Sequence, residues 1–237
     1  MSLEENIRTV QARIAAAARE VGRDPAEITL VAATKVQTSD AIRAAIAAGV
    51  TVCGENRVQE MTAHLEDNAY EGAALHFIGH LQTNKVKFVV GRVDLIESVG
   101  SEHLLRAIES QGAKTGVVQD ILLEVNVGGE ESKSGIAPEE VPALAELAAG
   151  MPHVRLRGLM AIPPAAREPG ANRPFFARMR ELFVDMQGKM DDNDAVNCLS
   201  MGMSLDFEDA VREGATLVRV GTALFGPRPP MGQSRQP

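Results

Sequence analysis

Two spacings of apolar residues alternate along the chain. Leu3, Ile7, Val10, Ile14 and Val21 recur at helical intervals, Ser2 and Glu5 form a capping-box pattern ahead of them, and Gly22 ends the run. The chain therefore opens with an amphipathic helix. After Asp24-Pro25 comes ITLVAAT at 28–34, a short run rich in β-branched residues, and then TSDAIRAAIAAG, which has helical spacing up to Gly49. Further apolar runs near 50–53, 75–79, 93–98, 120–127, 154–160, 195–200 and 216–221 bring the strand candidates to eight. Each run is nearly continuous in apolar character, as parallel strands covered on both faces require. Helical patterns lie between them, among them 101–112, 138–149 and the stripe Phe175, Met179, Leu182, Phe183, Met186 and Met190.

Eight strand-helix units in 237 residues predict an α/β fold, a closed (β/α)8 barrel of the TIM type with an extra N-terminal helix. Periodicity alone leaves an open doubly wound sheet as the alternative. One domain is expected over 1–226. A Pro/Gly-rich loop at 163–174 follows the sixth strand, and residues 227–237 read as a mobile tail.

Charge narrows the partners. A net charge of −8 repels phosphate backbones and anionic lipid, so small molecules or proteins are expected rather than nucleic acid or a membrane surface. Cys53 and Cys198 each sit in an apolar stretch and read as buried small hydrophobes of a reducing, cytoplasmic compartment, not as a disulfide framework. No basic region followed by an apolar run opens the chain, and no stretch reaches the ~20 apolar residues that cross a bilayer. Neither export nor membrane insertion is expected.

In such a barrel ligands bind where the strands end. Lys35 ends the first strand on the face of Val31 and Ala33. A lone lysine there ordinarily snorkels to solvent; the functional alternative is a Schiff-base lysine, which needs a partly desolvated amine. Across the barrel, Ser200 and Thr222 offer hydroxyls, Gly221 allows close backbone approach, and a helix beginning near Ser204 would add amide donors for a phosphate. Taken singly these are ordinary turns; their position after strands seven and eight gives them weight. Arg219, inside TLVRVG, faces inward with Leu217 and Gly221 and needs a fixed acceptor. That acceptor is either a buried carboxylate or the pyridine nitrogen of a cofactor, and an arginine would leave such a nitrogen largely unprotonated and the ring a weak electron sink. His76 and His80 lie about 13 Å apart in an extended chain, too far to share one metal ion, so no metal site is expected. His80 and Asn56 are either pocket walls or loop hydrogen-bonders. Ser132, Lys133 and Ser134 fall in a loop after strand five, either solvated or part of the functional end.

Read together, TK at 34–35, GENRVQE at 54–60, HFIGHLQTNK at 76–85, GEESKSG at 129–135, GLMAIP at 158–163, LSMGMS at 199–204 and VRVGTALFG at 218–226 resemble the pyridoxal phosphate homeostasis protein family, known also as the YggS/PROSC family. The resemblance implies a monomeric or weakly dimeric barrel similar to the N-terminal domain of alanine racemase. It implies pyridoxal 5'-phosphate (PLP) held on Lys35, and a role in the intracellular homeostasis of vitamin B6, with other B6 vitamers and PLP-dependent apoenzymes as partners. It places Ser200, Gly221 and Thr222 at the phosphate, Arg219 at the pyridine nitrogen, and Asn56, His80 and Met160 in the cofactor pocket. Two positions depart from the family pattern: Thr34 stands where serine is usual, and Leu205 where aspartate is usual.

The alternative is a PLP-dependent amino-acid racemase or another PLP enzyme of low activity. Racemisation needs a second acid/base opposite the lysine, in alanine racemase a tyrosine from an additional β domain. The single tyrosine here, Tyr70, lies in the polar segment EDNAYEGAA and not at a strand end, which favours a carrier without robust catalysis. A pure interaction module with no cofactor is a third class.

Overall fold

The computed structural model describes residues 2–130, 133–165, 168, 170–189 and 195–227. Ser132, Met190 and the tail beyond residue 227 lie outside the described residues.

Eight parallel strands close into a barrel in sequence order: β1 (Thr29–Ala33), β2 (Val52–Glu55), β3 (Ala74–Phe77), β4 (Leu95–Val99), β5 (Gln119–Val125), β6 (Val154–Ala161), β7 (Cys198–Ser200) and β8 (Leu217–Val220), which pairs back with β1. Outside them run α1 (Leu3–Glu20), α2 (Ser39–Ala47), α3 (Val58–Glu66), α4 (Glu102–Thr115), α5 (Val141–Ala149), α6 (Arg173–Gln187), α7 (Phe207–Arg212) and α8 (Thr222–Phe225). Between β3 and β4 the crossover is a 3₁₀ helix, Thr83–Phe88, not an α-helix.

The extra N-terminal helix forms for the reason its sequence gives. The Ser2 hydroxyl accepts from the Glu5 amide and the Glu5 carboxylate accepts from the Ser2 amide, so two otherwise orphaned donors are satisfied. Ile7, Val10, Ile14, Ala17 and Ala18 are buried, and α1 packs on α7 and α8. Asn6 donates to the Leu224 carbonyl at 2.8 Å, and Arg13 holds Glu208 with two hydrogen bonds.

Strand alternation divides the barrel into two apolar regions. Val31, Val52, Ile78, Leu95, Leu122, Met160 and Leu217 fill the lumen, while the opposite strand faces join the helices in a larger outer core. At Gly158 the register of β5 and β6 shifts, and φ is +149°. A Cβ there would lie 1.7 Å from the Cys198 carbonyl oxygen, so only glycine lets β6 and β7 pair at this point.

Three local expectations change. The core face of α6 carries Phe176, fully buried, whereas Phe175 is only partly buried. Pro174 at the first turn starts the helix, and packing selects the phase one residue on. The helix expected near Ser204 begins at Phe207, because the Asp206 carboxylate caps the Met203 amide and closes a turn first. Cys53 is buried, but Cys198 is only partly so, at the end of the barrel away from the strand mouths.

Candidate functional site

β1 ends at Ala33, and the next residues leave the barrel over its rim. Thr34 is buried and donates to Glu55 Oε1 at 2.6 Å; Lys35 is half-buried; Val36 then turns at φ +58°, a left-handed conformation uncommon for a β-branched residue. The Glu60 carboxylate accepts from the Val36 amide at 3.0 Å and holds that turn. Behind it, on the outer face of β2, fully buried Glu55 also accepts from the Tyr70 hydroxyl at 2.8 Å, with His64 Nδ1 at 3.2 Å. The hydrogen bond His64 donates to Glu55 raises its pKa more than burial lowers it. Burial and then the Glu55 charge push the Tyr70 phenol above its ordinary value. The loop carrying Lys35 is thus pinned from the outside by carboxylates of β2 and α3.

Lys35 opens onto a cavity of about 420 Å³ at the strand mouths, lined also by Asn56, Ile162, Ser204, Arg219, Gly221 and Thr222. The size suits a small cofactor. On one wall the Asn56 side-chain oxygen is buried without a hydrogen-bond partner among the described residues. On the opposite wall the Ser204 hydroxyl oxygen accepts from the Gly221 amide at 3.4 Å and from the Ala223 amide at 3.3 Å. Two amides at the start of α8 converge there on one oxygen, the arrangement an anionic oxygen uses. Asp206 is committed elsewhere: Oδ2 accepts from Asn172 at 2.6 Å and Oδ1 from the Met203 amide at 2.7 Å.

The floor is ionic. Arg219, 4 % exposed, donates through Nη2 to the Ala161 carbonyl at 2.8 Å and through Nη1 to Ser200 Oγ. Ser200 in turn donates to Glu97 Oε2, and Glu97 Oε1 accepts from His76 Nδ1 at 2.7 Å. β4 and β7 are not neighbours, so the Glu97–Ser200 bond crosses the lumen. Burial alone would raise the Glu97 pKa, but the His76 hydrogen bond, the Arg219 charge and Ser200 together hold it below the usual carboxylate range. Burial lowers the Arg219 pKa, opposed by Glu97, Glu124 and Asp206. Burial raises the carboxyl of Glu124, with Arg219 acting the other way.

Of the residues singled out from sequence, Lys35, Asn56, Arg219, Gly221 and Thr222 share this cavity. Ser200 and Met160 do not line it: both are fully buried beneath it, paired in register between β6 and β7. His80 is exposed, with Nδ1 3.3 Å from Ser134 Oγ, and faces a neighbouring cavity of about 460 Å³ with Glu124 and Lys133. Lys133 donates to the Pro163 carbonyl at 3.1 Å and pairs with Glu130. Of the two acceptors expected for Arg219, the buried carboxylate is present, with Glu97 Oε2 3.9 Å from the guanidinium, and Arg219 also lines the cavity. Sequence reasoning missed Glu97, although a glutamate two residues after Leu95 in an apolar run carries the same inward-facing signal that marked Arg219. Among the described residues no group of three metal-binding side chains occurs, and no helix is long and apolar enough to cross a membrane. A larger cavity, about 620 Å³, lies outside the barrel between α5, α6 and β6, away from the strand mouths.

The profile of the alanine racemase N-terminal domain matches residues 2–229. A relative from Aquifex aeolicus, named pyridoxal phosphate homeostasis protein, is 44 % identical over 228 residues, spanning 96 % of this chain and 99 % of its own. The chain belongs to the pyridoxal phosphate homeostasis protein family. Solved structures agree with that membership. An unknown protein from Bifidobacterium adolescentis superposes with a TM-score of 0.88 at 38 % identity, over 94 % of each chain. PipY of Synechococcus elongatus, solved with PLP bound, gives 0.80 at 30 % identity over 95 % of this chain and 100 % of its own.

Proposed function

We propose that this family member binds pyridoxal 5'-phosphate reversibly at the barrel mouth, attached through Lys35 Nζ, and serves as an intracellular carrier and regulator of the cofactor. The observation that carries this reading is the convergence of a half-buried primary amine, a buried guanidinium and two helix-terminal amides on one cavity. The donor set fits the group: the amides of Gly221 and Ala223, with the hydroxyls of Ser204 and Thr222, would hold the phosphate, Arg219 would meet the ring nitrogen, and the unpartnered Asn56 oxygen offers an acceptor on the wall. When bound, the cofactor would supply an aldehyde carbon able to take a primary amine with loss of water. Lys35 would provide that amine, and Arg219, a guanidinium donor, would keep the ring nitrogen from gaining a proton.

The carrier reading is favoured over a racemase by what surrounds Lys35. Tyr70 is bound to Glu55 on the outer face of β2 and does not reach the cavity, and both oxygens of Asp206 are engaged. No second proton carrier is therefore placed opposite Lys35 among the described residues. We assign PLP as the ligand, and other B6 vitamers and PLP-dependent apoenzymes as further partners of a monomeric, cytoplasmic protein. His80, Met160 and Ser200 support the site from its margin and floor.

The test is the visible absorbance of purified protein, wild type beside Lys35→Ala, before and after loading with PLP and then borohydride. A band that borohydride bleaches in wild type and that is absent from the variant is the expected result. No band in loaded wild type overturns the reading, and racemisation dependent on Lys35 overturns the carrier assignment.

A further inference from the structure

Four side chains from four strands make one hydrogen-bonded chain across the lumen: His76 from β3, Glu97 from β4, Ser200 from β7 and Arg219 from β8. Only Arg219 lines the cavity. A fully buried glutamate is a costly way to fill a barrel, since hydrophobic side chains of similar volume often serve stability as well or better. Its use therefore lies in what it does to its partner. Ser200 and the Ala161 carbonyl hold the two terminal nitrogens of Arg219, so the guanidinium has one orientation at the cavity wall. Ser200 is itself oriented, because it must donate to Glu97 in order to accept from Arg219.

We propose that Glu97 and His76 are positioning residues for Arg219: the carboxylate, oriented by the imidazole, supplies the counter-charge and, through the Ser200 hydroxyl, the orientation with which Arg219 meets the cofactor ring. This deepens the PLP reading and rests on it. The ionisable groups facing the unit are Glu124 from β5, Asp206 from the turn before α7, and Lys35 at the end of β1. Neutralising Glu97 leaves the site one unit more positive. A protonated imine nitrogen at Lys35 then becomes harder to keep, so its titration midpoint falls. For one charge in a protein interior of effective dielectric about 20, the fall is about one pH unit.

The experiment is a pH titration of the visible band in PLP-loaded wild type, Glu97→Gln, His76→Phe, His76→Gln and Ser200→Ala, with circular dichroism to verify folding. Glu97→Gln is expected to lower the midpoint by about one pH unit. His76→Phe should lower it by less, and His76→Gln, which keeps a donor, should return it toward wild type. A purely structural role would loosen the cofactor and lower the melting temperature without moving the midpoint. Should Glu97→Gln fail to fold, Ser200→Ala decides, because it cuts the link and removes no charge: with its hydroxyl gone Glu97 holds its charge less firmly, so a midpoint below wild type is expected, and weaker retention with a wild-type midpoint overturns the proposal. Unmoved midpoints in loaded variants overturn this inference alone, whereas a wild type without a band overturns the cofactor reading and the inference together.

Discussion

The ends of β2 and β3 approach so closely at the cavity wall that one methyl group should report on the site. A Cβ on Gly79 would lie 2.1 Å from the Asn56 carbonyl oxygen and 2.5 Å from the Asn56 Cα, backbone atoms that no rotamer change can move aside. A carbon–oxygen contact relaxes near 3.3 Å, so Gly79→Ala must part the two segments by about 1 Å. The neighbouring ladder bond, from the Ile78 amide to the Glu55 carbonyl at 2.8 Å, would then stretch past hydrogen-bonding range. Strain of about 1–3 kcal/mol and a lost bond of about 1 kcal/mol give a destabilisation of about 2–4 kcal/mol, or about 4–16 °C in melting temperature for a domain of this length. Gly116→Ala is the comparison. Gly116 ends α4 at φ +70°, and an added methyl group there would meet nothing within 4 Å, so the substitution suffers only the backbone penalty of about 1–2 kcal/mol. Urea and thermal unfolding of both variants measure the difference, and PLP retention should fall only in Gly79→Ala, because Asn56 lines the cavity. A Gly79→Ala protein no less stable than Gly116→Ala, holding PLP like wild type, would refute the reasoning.

His64 has a raised pKa in the folded chain, so its contribution to stability is fully present below the ordinary imidazole value near 6.5 and is lost as pH rises through the folded value. His64→Phe should accordingly lose more stability relative to wild type at about pH 6 than at about pH 9 in urea titrations; an equal loss at both contradicts the assignment. Val36→Asn, at an exposed left-handed position that asparagine tolerates, should raise stability by about 1 kcal/mol while keeping the amide bond to Glu60, and a drop in melting temperature would show that the valine side chain matters more than its backbone strain. Phe176→Ala should cost about 3–5 kcal/mol and Phe175→Ala clearly less, which unfolding curves resolve; the reverse order would place the wrong face of α6 in the core.

The eight strands were legible because each apolar run is short, continuous and bounded by turn residues, which constrains both its length and its covering on two faces. Alternation likewise put Lys35 at the mouth and Arg219 in the lumen. It did not tell which hydroxyl reaches the cavity. Ser200 and Ser204 both follow the seventh apolar run, but the height of Ser200 in the lumen depends on the stagger of β7 against β6 and β8, a property of barrel closure and not of any one strand. The chain from His76 to Arg219 was hidden for the same reason, since its members are 21, 103 and 19 residues apart in successive links. The phase of α6 was ambiguous because two phenylalanines stand side by side, and only packing chooses between them.

Tyr70, tied to Glu55 at the end of β2, the residue before Asn56, is the chain's single tyrosine, and there is no tryptophan. The polypeptide is therefore almost dark in the near ultraviolet. A chromophore seated on Lys35 would be read against very little background, so occupancy per chain can be followed directly during loading and release. The lone phenol, hydrogen-bonded to a carboxylate, gives a separate optical signal for whether the strand beside that chromophore has stayed in place.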